Sequence, residues 1–242
     1  MKVKLKKEDI SKGYLILINP DHLLQKNTMN LIFYNEEFKN IELEQEANNQ
    51  LHLALDTIKS NNRIVPVSGY RTLEEQIDIY ESSLKDNGEE FTKKFVALPN
   101  ASEHQTGLAI DLALNEGKID FICPSFPYHG ICQEFRNVAP KFGFIERYKN
   151  DKKKITKISK EEWHFRYVGY PHSEIINNLD FCLEEYIDYI KTFTYPNNPL
   201  IYNEYKIFYV PYKDNHYIEL NDDYLISGNN VDGFILTTKG ER

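Results

Sequence analysis

Ser102-Glu103-His104-Gln105-Thr106-Gly107-Leu108-Ala109-Ile110-Asp111-Leu112-Ala113-Leu114 decides how the chain is read. It opens as a polar turn, and from Leu108 its apolar side chains alternate well enough for a strand. Asp111 lies inside that strand between Ile110 and Leu112. A carboxylate so placed is costly to bury unpaired, so a cation or strong hydrogen-bond donors must meet it.

Outward from this stretch, Trp163-His164-Phe165-Arg166-Tyr167-Val168 alternates in the same way and predicts a second strand, with a short helix from Ile131 to Phe142 between the two. Upstream, Ile64-Val65-Pro66-Val67 predicts a strand leading into Ser68-Gly69-Tyr70-Arg71. Thr72 and Glu75 stand in capping-box spacing, so a helix is expected over about 73–86. Ala47, Leu51, Ala54, Leu55 and Ile58 recur at helical intervals, which predicts an amphipathic helix from Leu43. Tyr14 to Ile18 reads as a short buried strand, and Glu174 to Phe193 as one helix. Tyr195-Pro196-Asn197-Asn198-Pro199 breaks helix, which puts a boundary between a main domain, 1–194, and a β-rich C-terminal extension, 195–242, packed on it. Runs 205–210, 217–220, 224–227 and 234–238 supply the strands of that extension.

Three residues around the opening stretch can converge on one metal. A catalytic zinc takes three protein ligands from His and Asp or Glu and keeps a fourth position open for water. His104, Asp111 and His164 form such a set, two from the loop and strand around Gly107 and one from a neighbouring strand. Taken singly, each histidine reads more often as a surface or hydrogen-bonded side chain than as a ligand; together with the embedded aspartate they point to a site. Glu161, three residues before His164, can reach the same place as general base, while its other reading is a solvated charge beside Glu162. Arg71 follows a strand end and a glycine, where a rigid scaffold presents functional side chains. Its guanidinium suits an oxyanion or a substrate carboxylate, and equally a surface ion pair with Glu74 or Glu75.

Composition excludes several classes. Hydrophobic residues at 41% and charged residues at 27% suit a soluble globular chain rather than a disordered one. A net charge of −8 gives no global case for binding nucleic acid. The longest apolar stretches, such as Leu15 to Ile18, are far too short to span a bilayer, and the basic start lacks the apolar region of a secretory signal. Cys123, Cys132 and Cys182 form neither a CxxC pair nor an even disulfide framework, so a cytoplasmic protein with free thiols is expected. Lys152, Lys153, Lys154, Lys157 and Lys160 form a basic run that reads either as a solvated loop or as a loop closing over an acidic substrate.

The motifs Ser68 to Arg71, Thr72 to Gln76, Ser102 to Gly107 with Asp111, Phe142 to Tyr148 and Glu161 to Gly169 resemble the M15 family of zinc D-alanyl-D-alanine peptidases, the VanY and VanX group, and within it the VanXY-type enzymes of vancomycin resistance. They span roughly residues 60–170 and depart from the family pattern at Glu162, where relatives often carry Pro or an aromatic residue. The resemblance implies an α+β fold in which a small antiparallel sheet, flanked by helices, carries zinc on His104, Asp111 and His164, with Glu161 as base. It implies that Arg71 polarises the scissile carbonyl and stabilises the oxyanion, and that Ser102 and Gln76 bind substrate. The implied activity is a D,D-dipeptidase/D,D-carboxypeptidase acting on D-Ala-D-Ala and on the terminal D-Ala of cytoplasmic precursors such as UDP-MurNAc-pentapeptide. The alternatives are an L,D- or D,D-carboxypeptidase of ordinary wall turnover, or a non-catalytic zinc-stabilised module that binds peptidoglycan peptides. A closed structural site would need a fourth ligand and no base, which argues against the module.

Overall fold

A computed structural model describes residues 2–25, 29–220 and 223–239. The chain divides into two compact units, one of residues 19–182 and one of residues 1–18 with 183–242. The break therefore falls before Leu183 rather than at 194/195, and the smaller unit also takes the N-terminal segment. No helix among the described residues is long and apolar enough to cross a membrane.

The elements in chain order begin with β1 (Lys2–Lys4), β2 (Leu31–Phe33), β3 (Glu42–Glu44), α1 (Gln45–Thr57), β4 (Ile64–Ser68) and α2 (Leu73–Phe95). Next come β5 (Ala109–Leu114), α3 (Gly130–Val138), β6 (Phe144–Tyr148), α4 (Lys153–Thr156), β7 (Glu161–Tyr167), α5 (His172–Asn178) and α6 (Leu183–Ile190). The chain ends in β8 (Leu200–Tyr202), β9 (Tyr205–Pro211), β10 (Tyr217–Glu219), β11 (Tyr224–Gly228) and β12 (Gly233–Lys239). The mixture of helices and small antiparallel sheets is the α+β class expected, with the C-terminal strands in place.

In the larger unit β4, β5, β7 and β6 lie side by side in that order, all antiparallel. Register sets Ser68 opposite Asp111 and Asp111 opposite His164, which lines three polar residues across the middle of the sheet. Ile110, Phe144 and Phe165 are buried with Phe126 and Phe135, and Phe126, Phe135 and Phe165 meet edge to face with centroids 5.0–5.9 Å apart. Helix α1 buries Ala47, Leu51, Ala54 and Leu55, the stripe its spacing predicts, and Glu44 caps it by accepting from the Glu46 and Ala47 amides. At the start of α2, Thr72 and Glu75 form the expected capping box. This helix runs past 86 to Phe95 through a break at Gly88, whose φ of 80° interrupts the helical turn.

Three expectations fail for physical reasons. Leu15 to Ile18 is buried yet belongs to no strand, because its backbone bonds to irregular partners: the Leu15 amide donates to Ser227 Oγ and the Leu17 amide to the Asn229 carbonyl. The stretch 174–193 is two helices, broken where Asp180 adopts a φ of 51°. The predicted 131–142 helix ends as α at Val138 and tightens into a 3-10 turn over Ala139–Phe142 that closes at Gly143, φ 86°. In the smaller unit, β11, β12, β9 and β8 form one antiparallel sheet and β1 pairs with β10. Its core is Leu5, Phe208, Val210, Ile218, Leu220, Phe234 and Leu236.

Candidate metal centre

Gly107 explains how His104 and Asp111 meet. Residues Glu103–Thr106 form a 3-10 turn that ends at Gly107 with φ 70°, and β5 starts two residues on. The positive φ of Gly107 is the backbone conformation that favours glycine, while the Leu31 side-chain end 2.7 Å from a Cβ placed there could move aside. The tight reversal sets the buried His104 ring over β5, and β7 brings His164 alongside Asp111.

His104 Nε2 lies 3.2 Å from Asp111 Oδ2 and His164 Nδ1 lies 2.9 Å from Asp111 Oδ1. One ligand atom from each of the three residues falls within 4.8 Å of the others, and all three residues are buried. The second ring nitrogens are occupied: His104 Nδ1 donates to the Gly69 carbonyl at 2.7 Å, and His164 Nε2 faces Glu103 Oε2 at 3.3 Å. The nitrogens turned toward Asp111 are therefore those left to bind a cation. Two imidazoles and one carboxylate are a donor set suited to zinc, so the residues fit the ion.

The electrostatics ask for positive charge. Burial works against ionising Asp111, but His104 and His164 outweigh it and hold the carboxyl well below its usual range. Burial and the nearby Arg71 guanidinium lower the pKa of His104, which favours its neutral, ligating form. Burial also opposes charge on His164, yet the Asp111 and Glu103 carboxylates push it up to about 9. A metal taking the place of the His164 Nδ1 proton would meet Asp111, while the Nε2 proton stays with Glu103.

Glu161 opens β7 opposite Tyr148, buried, and lines the same cavity as the three residues. Burial, with the Asp111 and Glu103 carboxylates adding to it, raises its carboxyl to about 8 despite the opposing His164 and Arg71. Glu162 instead pairs with Lys160 at 3.6 Å and does not line the cavity, which separates the two glutamates. Arg71 is held over the site by Ser68 Oγ, which accepts from Nε at 3.0 Å and Nη2 at 2.8 Å, and its Nη2 reaches Asp111 Oδ2 at 3.2 Å. The geometry thus ties Arg71 to the site rather than to Glu74 or Glu75. Ser102 is buried at the cavity wall. Gln76 is fully buried and engaged elsewhere, its Nε2 donating to the Ala97 carbonyl and its Oε1 accepting from Arg71 Nη1 at 3.5 Å. Gln76, expected to bind substrate, is not among the residues lining the cavity and reaches the site through Arg71.

The cavity measures about 220 Å³ and is walled on its apolar side by Ile79, Phe95, Ile158 and Trp163. That is smaller than the roughly 300–1,000 Å³ typical of drug-sized sites, so it admits a small ligand. Glu103 is the site neighbour that motif reading passed over. Its signal lay in two arginines, Arg147 and Arg166, set within apolar strands, since buried cations need a carboxylate. The basic run is mostly committed to carboxylates of its own unit: Lys157 to Asp21 at 2.5 Å, Lys152 to Asp151 at 4.0 Å and Lys160 to Glu162 at 3.6 Å.

Residues 40–170 match the family model described as VanY: D-alanyl-D-alanine carboxypeptidase. The chain is 44% identical over 187 residues to the bifunctional D-Ala-D-Ala dipeptidase and D-Ala-D-Ala carboxypeptidase VanXYC of Enterococcus gallinarum, covering 73% of this chain and 94% of that protein. Its fold superposes on the crystal structure of the vancomycin resistance D,D-dipeptidase VanXYg in complex with a D-Ala-D-Ala phosphinate analog, with a TM-score of 0.95, 51% identity and 98% of each chain covered. The LdcB LD-carboxypeptidase structure is more distant, at TM-score 0.62 and 33% identity over 71% of this chain and 84% of that one.

Proposed function

The chain belongs to the VanY family of D-alanyl-D-alanine carboxypeptidases, and from that premise we propose that it hydrolyses D-Ala-D-Ala and the terminal D-Ala of peptidoglycan precursors at the His104–Asp111–His164 centre. The observation that carries this is the three-residue donor set with a separate buried carboxylate, Glu161, in the same cavity. A module that merely stores zinc would have no use for Glu161 and Arg71 there.

His104 Nε2, Asp111 and His164 Nδ1 would hold the ion. When bound, zinc supplies a Lewis acid for the scissile carbonyl and makes water nucleophilic near neutral pH. Glu161 takes the proton of the attacking water and returns it to the leaving amine of the terminal D-Ala, so one carboxyl serves as base and then as acid. Its burial suits both steps, because a carboxyl lifted toward neutrality both accepts and releases a proton readily. Arg71, held by Ser68 and Gln76, aims preorganised donors at the oxygen where negative charge develops. Ser102, beside the ligand His104 at the cavity wall, meets the substrate carboxylate. Ile79, Phe95, Ile158 and Trp163 exclude water around the methyl groups of a D-Ala end.

The substrate range follows the bifunctional relative rather than the LD-carboxypeptidase, which is similar to this chain over a smaller share at lower identity. Cys123, Cys132 and Cys182 are free thiols, which suits a cytoplasmic enzyme acting on UDP-MurNAc-pentapeptide before export. The test is D-Ala release by zinc-loaded protein from D-Ala-D-Ala, from UDP-MurNAc-pentapeptide and from an L,D-linked tetrapeptide. Release from the first two and not the third is expected; release from the tetrapeptide alone would assign the chain to L,D-carboxypeptidases of wall turnover.

A further inference from the structure

We infer that Glu103 is a positioning residue for the metal centre: its carboxylate, clamped by Arg147 and Arg166, holds His164 by Nε2 and so presents Nδ1 as the ligand atom. The inference rests on the proposed zinc centre and concerns how this chain builds it.

The two Glu103 oxygens divide the work. Oε1 accepts from Arg147 Nε at 2.9 Å and pairs with Arg166 Nη1 at 3.1 Å, while Oε2 faces His164 Nε2 at 3.3 Å. The Glu103 and Arg166 side chains are fully buried and that of Arg147 is 1% exposed. With two guanidiniums on Oε1, the carboxylate is paired as an anion and turns Oε2, an acceptor, to the ring. An imidazole held by such an acceptor at Nε2 carries its proton there and keeps the Nδ1 lone pair for a metal. Three chain segments are fixed together: the turn before Gly107, β6 through Arg147, and β7 through both His164 and Arg166.

Stability alone does not account for this cluster. Apolar side chains of similar volume generally serve a core as well as buried ions do, because desolvating the ions offsets their attraction. What the ions add is a charged oxygen at a defined place beside His164. Asp111 lies on the other side of the same ring, so the imidazole is fixed from both nitrogens before any metal arrives.

The experiment measures zinc affinity by competition with a chromophoric chelator, together with the imidazole N–H signal of His164 in ¹⁵N-labelled, zinc-loaded full-length protein. Glu103→Asp keeps a negative charge between the arginines but is one methylene too short to span to His164. Its zinc affinity should fall about ten- to a hundred-fold, with loss of the protected Nε2–H signal. Phe144→Leu, a core substitution on β6 outside the cluster, is the packing control and should bind zinc as the unsubstituted protein does. If Glu103→Asp does not fold, Glu103→Gln keeps the size of the side chain but not its charge and should likewise bind zinc more weakly than Phe144→Leu. Undiminished affinity in whichever Glu103 variant folds, or an equal fall in Phe144→Leu, would overturn the inference by showing no effect or one of packing alone. Failure of the unsubstituted protein to bind zinc would instead refute the metal centre beneath it.

Discussion

Gly69→Ala should damage the metal centre without touching a ligand. A Cβ on Gly69 would sit 2.3 Å from the Glu42 carbonyl oxygen and 2.9 Å from Ile41 Cγ2. Real Cβ atoms essentially never come within 3.0 Å of such an atom, so the backbone at Gly69 must retreat by about 0.7 Å. Its carbonyl holds His104 Nδ1 at 2.7 Å, so a displaced Gly69 backbone lengthens or misaligns that bond. His104 then loses the partner that orients it, which should weaken zinc about ten- to a hundred-fold. Overpacking should also destabilise the protein by about 1–3 kcal/mol. Gly88→Ala is the control: its φ of 80° strains an alanine, but a Cβ there meets nothing within 4 Å. Chelator competition for zinc, read beside urea denaturation of the metal-free proteins, separates the two. Weakened zinc binding in Gly69→Ala alone is expected; if Gly69→Ala lost stability yet bound zinc normally, the Gly69 carbonyl would not be what orients His104.

The other expectations are read in the same assays. Arg71→Ala should lower kcat by about 10²–10³ as loss of an oxyanion donor does, whereas a change confined to KM would assign Arg71 to ground-state binding of the carboxylate. Adding zinc to metal-free protein at about 100 times its Kd should stabilise it by about 2.7 kcal/mol, raising Tm by roughly 5–10 °C, and an unmoved Tm would argue against a site in the folded state. Zinc affinity should climb from pH 6 to about 9. The ion displaces the His164 proton, which is held with a pKa of about 9, and favours ionised Glu161, whose carboxyl otherwise titrates at about 8. Affinity independent of pH across that window would refute the protonation states derived for the metal-free site.

The reading from sequence was strongest where one residue broke a pattern. Asp111 inside an apolar strand pointed to a buried partner, and β5 and β7 do bring His104, Asp111 and His164 together. Helices α1 and α2 were legible because apolar spacing and a Thr72–Glu75 cap agree. Leu15 to Ile18 misled because a buried apolar run is equally compatible with a strand and with irregular backbone tied to distant side chains such as Ser227. The β2–β3 pair passed unread, since each strand is only three residues long, too short for a period of two to stand out. Gln76 lay within a matching motif, yet which of its neighbours an amide bonds to depends on Ala97, twenty-one residues away. Glu103 was hidden for the same reason, its partners Arg147 and Arg166 lying more than forty residues downstream.

The rate of D-Ala release from D-Ala-D-Ala by Glu161→Gln protein holding one zinc per chain tests the account most directly. Glutamine keeps the shape of the side chain and leaves His104, Asp111 and His164 in place but cannot take a proton. A zinc-loaded variant slowed by about 10²–10⁴-fold is expected, with Glu162→Ala close to the unsubstituted rate. Turnover by zinc-loaded Glu161→Gln near that of the unsubstituted protein would contradict the account.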